Sequence, residues 1–483
     1  MRPVIQEIQT AHTPESLARQ LDGEPGVVLL RSQGFESPQA RYSFVAARPF
    51  LSFRSFGARC ELTDDRGTHE LFGNPWHVLD GLMERYEMLD EADLPFPLGG
   101  CFGYWGYDLK NFVEPKLPRR AVNDLELPDC AVGFHDSLVV FDHRLGKTWI
   151  VSTGLDADGS RREACAEEQA DFWRAALAAE PHPASSIQHP ASSLTDHSLL
   201  LTSNLSRTEF LAKVARAQRY IRAGDIYQVN LSQRLEAACP FSGWELSRRL
   251  ADVSPAPFAA FYDCGVFQIA SSSPEAFLRM SGSHIVTRPI KGTRPRSADP
   301  DRDAQLTYEL QTSAKEMAEL VMITDLLRND LGRVCEYGSV QVPELVRLER
   351  YPQVQHLVST VEGRLRRDVT HFAAFASCFP GGSITGAPKI RAMEVIDELE
   401  PVTRGPYCGA HGYLGFNRES QLSITIRTAI KRDDRAWFHV GAGIVADSVP
   451  EAEYEETLAK GRGFVEAMNL PLENRVAADA RRF

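Results

Sequence analysis

Short apolar runs separated by turns fill the first part of the chain. Gly26-Val27-Val28-Leu29-Leu30, Tyr42-Ser43-Phe44-Val45-Ala46 and Asp136-Ser137-Leu138-Val139-Val140-Phe141-Asp142-His143 each suit a strand, with a Gly/aromatic stretch at 99–107 between them. Strands this short, with few helical periods among them, predict antiparallel sheets instead of βαβ units. Residues 180–198, EPHPASSIQHPASSLTDHS, carry no apolar period and read as a linker. Beyond it, Ser206-Arg207-Thr208-Glu209 is a capping box, and Phe210, Val214, Ala217 and Ile221 recur at helical spacing up to Gly224. The pattern then switches to period two. Val229, Leu231 and Leu235 take one side, while Gln228, Asn230, Ser232 and Arg234 take the other. Such a polar face suits an exposed edge strand or the lining of a pocket. The expected organisation is a β-rich half at 1–179, a linker at 180–198, a second region at 199–470 and a tail at 471–483.

Composition narrows the function classes. The chain has 483 residues, 43% hydrophobic and 24% charged, as in ordinary globular proteins. A net charge of −12 disfavours nucleic acid or an anionic membrane as the main partner, so an anionic substrate would need a local positive pocket. Nine scattered cysteines without a C-x-x-C suggest reduced thiols, and no run of 18 apolar residues or apolar leader occurs. A soluble, cytoplasmic protein is expected.

Candidate chemistry lies after the linker. Lys291 stands in Arg288-Pro289-Ile290-Lys291-Gly292-Thr293, after an extended stretch at 284–287. The proline fixes the backbone and the glycine lets a ligand approach. A lysine desolvated there could be an amine nucleophile, although most lysines are solvated surface charges. Ser273-Pro274-Glu275 sets a carboxyl among apolar neighbours, where a raised pKa would suit an acid. Glu316 and Glu319 share a helix face, as do Glu453 and Glu456. The two pairs could hold Mg²⁺, or stand as ordinary solvated pairs with Glu456 bonded to Lys460. The Gly-rich loop 379–389, FPGGSITGAPK, opens a helix without P-loop spacing, so a carboxylate is its more natural guest. Arg427, at the end of the expected strand 423–427, could bind a carboxylate or form a structural ion pair. Gly441 and Gly443 bring bare backbone close to whatever binds.

Residues 206–468 resemble the chorismate-utilising enzyme family. The shared runs are 224–234 (GDIYQVNLSQR), Ser273-Pro274-Glu275, 288–293, 322–334 (MITDLLRNDLGRV), His356-Leu357-Val358-Ser359, 380–389 and Glu453-Tyr454-Glu455-Glu456-Thr457. The first half resembles the family more loosely, at 41–44 and 99–104. The resemblance implies an α+β fold of two large packed antiparallel β-sheets with surrounding helices. It implies chorismate as substrate, with Lys291 attacking ring carbon two, Glu275 protonating the departing hydroxyl, and ammonia then adding at carbon four. Glu319 and Glu456 would ligate Mg²⁺, with Glu316 and Glu453 behind them through water. Tyr413, Arg427, Thr385, Gly441 and Gly443 would hold the carboxylates, His356 would sit near the ring carboxylate, and Gly292 and Thr293 would border the substrate.

Cys408 lacks the elbow glycines of an amidotransferase nucleophile, so ammonia is expected from a separate glutamine amidotransferase subunit. Within the family, Gln228 together with Lys291 resembles the branch that forms 4-amino-4-deoxychorismate for 4-aminobenzoate and folate. Anthranilate-forming chains carry alanine in a P-I-A-G-T run, and chains that add water carry lysine where Gln228 stands. Two other readings stay open: an anthranilate-forming enzyme with an unusual lysine, and a non-catalytic scaffold subunit. Leu30, Ser32, Arg41, Tyr42 and Ser43 loosely match a tryptophan-binding motif of related chains.

Overall fold

The computed structural model describes residues 2–32, 40–89, 94–181, 201–351 and 354–470, and the backbone of 477–478. Most of the expected linker at 180–198 and of the tail at 471–483 therefore lies outside the described residues. Two large sheets, of 13 and 12 strands, pack together with helices around them, in the expected α+β arrangement. Among the described residues every strand pairing is antiparallel except that of Thr202–Ser203 with Ala477–Ala478.

Each sheet is built from both halves of the chain. The larger starts with Val4–Ile8, Lys147–Ser152, Ser137–Asp142, Tyr42–Ala46 and Val28–Arg31. It continues into Phe258–Asp263, Gln268–Ser273, Thr428–Arg432, Arg435–Ile444 and Gln228–Ala238, and the joint sets Leu29 opposite Phe261. The smaller sheet runs from Ile290–Pro295, Val354–Arg364, His284–Thr287, Ala276–Ser281, Glu419–Ile424 and Ala410–Gly415 into Gly100–Trp105, Cys130–His135, Leu51–Phe56, Arg59–Asp64 and Gly67–Phe72. Its joint sets Gly103 opposite Gly412.

Alternate residues of one strand serve two cores. Val28, Phe44 and Val140 face the inter-sheet core with Phe102, Phe134 and Leu278. Their neighbours Leu29, Val45 and Val139 face outward, where Pro14–Gln20 and Glu163–Ala178 cover them around Trp173. The run Leu138-Val139-Val140-Phe141 is apolar without alternation because both of its faces are dry.

The strand Gln228–Ala238 is not an edge. It pairs along its length with Arg435–Ile444, and on its other side with Thr202–Ser203 and Gly386–Ala387. Its polar side is covered: Gln228, Ser232 and Arg234 are buried, and Asn230 reaches a large cavity.

Candidate active site

That cavity has a volume of about 780 Å³ and gathers residues far apart in the sequence. Lys291 enters it from the second position of Ile290–Pro295. The register of this strand against Val354–Arg364 shifts between Lys291 and Thr293, around Gly292 at φ 72°. A bulge of this kind re-aims a side chain. A Cβ at Gly292 would lie 2.7 Å from Leu310 Cδ1 and 3.0 Å from Glu316 Oε2, so glycine lets the strand press against the acidic helix.

Lys291 Nζ donates to Ser383 O at 3.4 Å. Glu275 is 6% exposed, follows the strand Gln268–Ser273, and hydrogen-bonds the Ser383 side chain. Burial pushes the Glu275 carboxyl above the usual carboxylate range, against the opposing pull of Ser383 and Lys291. An amine and a carboxyl biased toward its protonated form thus share one serine. Such a pair can attack carbon and protonate a leaving oxygen.

The acidic wall comes from two helices, Ala314–Gly332 and Pro450–Ala467. Glu316, Glu319 and Glu456 line the cavity, whereas Glu453 does not; its Oε1 accepts from Ser448 Oγ at 2.6 Å. Burial raises the Glu319 pKa against Lys291 and Lys315, and the nearby Glu316 and Glu456 raise it further. Burial also raises Glu453. Glu316 pairs with Arg294 at 3.3 Å and Glu456 with Lys460 at 2.8 Å. Among the described residues no three His, Cys, Asp or Glu side chains converge into a closed metal cage. The donors still fit a hard cation, since Mg²⁺ takes one or two carboxylates and completes its shell with water and substrate oxygens.

Five cations line the cavity with the four carboxyl groups. Arg294 and Lys460 pair with Glu316 and Glu456, so Lys291, Lys315 and Arg427 carry the local positive charge that an anionic guest of a −12 chain needs. Gly441, Gly443, Gly292 and Thr293 line it as well. His356 Nδ1 pairs with Thr293 Oγ1 at 2.9 Å, and burial lowers its pKa to about 4, so the ring is neutral.

Three expected placements change. Arg427 lines the cavity but not from a strand: Glu419–Ile424 ends earlier, and Arg427 takes φ 52° in the link to Thr428–Arg432. Thr385 is fully buried behind the wall, where its Oγ1 donates to Gly381 O at 3.1 Å and Gly382 O at 3.2 Å. Tyr413 lies elsewhere altogether. It borders a second, much smaller cleft of about 30 Å³ with Leu30, Ser32, Tyr42 and Phe44. The tyrosines at the large cavity are Tyr351 and Tyr407, the latter six residues earlier than Tyr413 and just before the strand Ala410–Gly415. Asn230, Ser383, His439 and Lys460 also line the cavity; the two polar strand positions and the i,i+4 lysine were visible signals, and Ser383 was hidden in the loop.

Residues 35–466 match the family described as chorismate binding enzyme. The chain belongs to that family. Anthranilate synthase component 1 of Acetivibrio thermocellus is 39% identical over 96% of this chain and 95% of its own length. Aminodeoxychorismate synthase component 1 of Escherichia coli (strain K12) is 40% identical over 90% of this chain and 92% of its own length. The crystal structure of anthranilate synthase component I from Streptococcus pneumoniae TIGR4 superposes with a TM-score of 0.75 at 32% identity, covering 90% of this chain and 94% of that one. MenF, the menaquinone-specific isochorismate synthase from Escherichia coli, shares the fold with a TM-score of 0.69 at 18% identity, covering 97% of this chain and 94% of that one. The family therefore fixes chorismate chemistry and leaves the product to be argued.

The smaller cleft collects three of the five residues expected to bind tryptophan. Arg41 instead pairs with Asp142 at 2.5 Å. Ser43 is buried, accepting from Ser32 N at 2.9 Å and contacting His143 Nε2 at 2.6 Å. At about 30 Å³ the cleft has room for a water or two, so an indole would have to part the Tyr42, Phe44 and Tyr413 rings.

Proposed function

We propose that this enzyme converts chorismate and ammonia to 4-amino-4-deoxychorismate. The observation that carries the reading is the Lys291–Ser383–Glu275 arrangement, a nucleophilic amine beside a buried carboxyl inside a large polar cavity. In its unprotonated form Lys291 Nζ bonds to ring carbon two. Both conjugated ring double bonds shift by one position, the C–O bond at carbon four breaks, and Glu275 gives its proton to the departing hydroxyl, which leaves as water. Ammonia then bonds to carbon four, both double bonds return to their first positions, the Lys291 nitrogen is expelled, and the proton lost by the new amine restores the Glu275 acid. Arg427, with the bare backbone of Gly441 and Gly443, suits the substrate carboxylates, and neutral His356 suits a hydrogen bond at the ring carboxylate.

Glu319 and Glu456 would hold Mg²⁺, which when bound neutralises a substrate carboxylate. For that contact Glu456 would exchange its pairing with Lys460 for the cation. Relatives at 39% and 40% identity are named component 1, which supports a partner; we assign it as a glutamine amidotransferase subunit supplying ammonia, with free ammonium as a poorer substitute. A second reading, anthranilate formation, has equal support from relatives. Incubating the protein with chorismate, Mg²⁺ and ammonium and identifying the product decides between them. The expected product is 4-amino-4-deoxychorismate. Anthranilate would move the chain to the other branch, and no turnover would favour a scaffold. Tryptophan binding at the small cleft is a separate proposal, and an unchanged melting midpoint at millimolar tryptophan would exclude it.

A further inference from the structure

One buried cation outside the reacting set touches three walls of the cavity at once. Arg404 is 2% exposed. Its Nε and Nη2 grip Glu400 at 2.8 and 2.7 Å, Nη2 also donates to Asn230 O at 2.7 Å, and Nη1 donates to Ile384 O at 3.1 Å. Asn230, Ile384 and the nearby Tyr407 all line the cavity. The guanidinium lies 5.6 Å from the Tyr407 ring centroid, and His439 stacks on that ring at 5.0 Å and 9°. Glu400 carries the brace on to the strand Gln228–Ala238, accepting from Ser232 N at 2.8 Å and Ser232 Oγ at 2.9 Å.

We propose that Arg404 is a positioning residue, which through its planar fork holds the Asn230 strand, the Ile384 loop and the Tyr407 ring in one register around the bound substrate. This rests on the reading of the large cavity as the chorismate site. The chemistry favours positioning over stabilisation. A buried ion pair contributes little net stability compared with apolar residues of the same volume, yet this one directs its spare donors at the carbonyls of two lining residues. The planar fork makes four hydrogen bonds at once, two to the carboxylate and one to each carbonyl, and a lysine with three donors on one atom cannot. A loss of about 1 Å in alignment costs on the order of a hundredfold in rate.

The test measures chorismate consumption with saturating ammonium and Mg²⁺, whatever the product, for wild type, Arg404→Lys and the apolar double variant Glu400→Met/Arg404→Met. Expected is a fall in kcat of roughly thirtyfold to a hundredfold in both variants, with KM for chorismate within about threefold. The double variant leaves no unpaired charge. It takes partners from Ser232 N–H and from the Asn230 and Ile384 carbonyls, so its melting midpoint falls. Circular dichroism should show both variants folded at the assay temperature, so that the fall in kcat reports alignment. In a Tyr407→Phe background the Arg404→Lys penalty shrinks, since both hold Asn230: the Tyr407 hydroxyl bonds its side chain and Arg404 its carbonyl. Full kcat in a folded double variant, or penalties that simply multiply with Tyr407→Phe, would overturn the inference alone. A wild-type protein that neither binds nor consumes chorismate would overturn the reading of the cavity and this inference with it.

Discussion

Lys291 and Glu275 differ in what each demands of its surroundings. Lys291→Ala removes the attacking nitrogen and leaves the cavity otherwise intact. Product formation at carbon four should fall at least a hundredfold, with no protein–substrate adduct by mass spectrometry; wild-type rates would exclude the nucleophile role. Glu275→Gln keeps shape and hydrogen bonding but cannot give up a proton, so kcat should drop about 10²–10⁴-fold. The same change should raise the melting midpoint. With its folded pKa above its unfolded value, Glu275 binds a proton more tightly in the folded state. Its contribution to stability is full below the unfolded pKa and is lost as pH rises through the folded one. The gain from Glu275→Gln should therefore grow toward alkaline pH, and a gain that shrinks with rising pH would contradict the assignment. The wild-type rate should fall on the alkaline side for the same reason, as the acid loses its proton. Glu319 belongs to a different test: chelation should abolish turnover, and Mg²⁺ should restore it for the wild type but not for Glu319→Gln.

Among the elements, the loop 379–389 is a tight joint. Gly386 takes φ 144°, and a Cβ there would come within 2.2 Å of Gln228 O, which is main chain and cannot yield. Gly386→Ala should cost about 1–3 kcal/mol of stability by denaturant titration, and a neutral result would show that the strand can slide. The following helix, Lys389–Leu399, is tied back by Lys389, which bonds Asp330 at 2.6 Å and Cys378 O at 3.1 Å. Motif order made this neighbourhood readable, because Lys291, Glu275 and the loop stand in runs whose residue types suggest their tasks. Side-chain direction was not readable. Tyr407 and Tyr413 share one short run, and only the strand start at Ala410 decides which cavity each faces. Arg427 sits in a left-handed kink that no periodicity announces. The amide face of Gln228–Ala238 looked like an exposed edge because a partner strand some two hundred residues away cannot be inferred from alternation.

At the scale of the whole molecule, the apolar pattern foretold sheets but not their shared construction. Each sheet takes strands from both sides of the Pro/Ser-rich seam, and one inter-sheet core runs through both parts. Calorimetry should therefore show a single unfolding transition with matching calorimetric and van't Hoff enthalpies, and two resolved transitions would mean the halves are independently stable. The joints also set a timetable for synthesis. Gly100–Trp105 pairs with Ala410–Gly415, about three hundred residues later in the chain. At roughly 5–20 residues per second, a ribosome takes on the order of 15–60 s to deliver that partner. Throughout the interval an apolar strand with one open hydrogen-bonding edge, the other being met early by Cys130–His135, waits in the nascent chain, so holding chaperones should matter more for yield than the stability of the finished protein does.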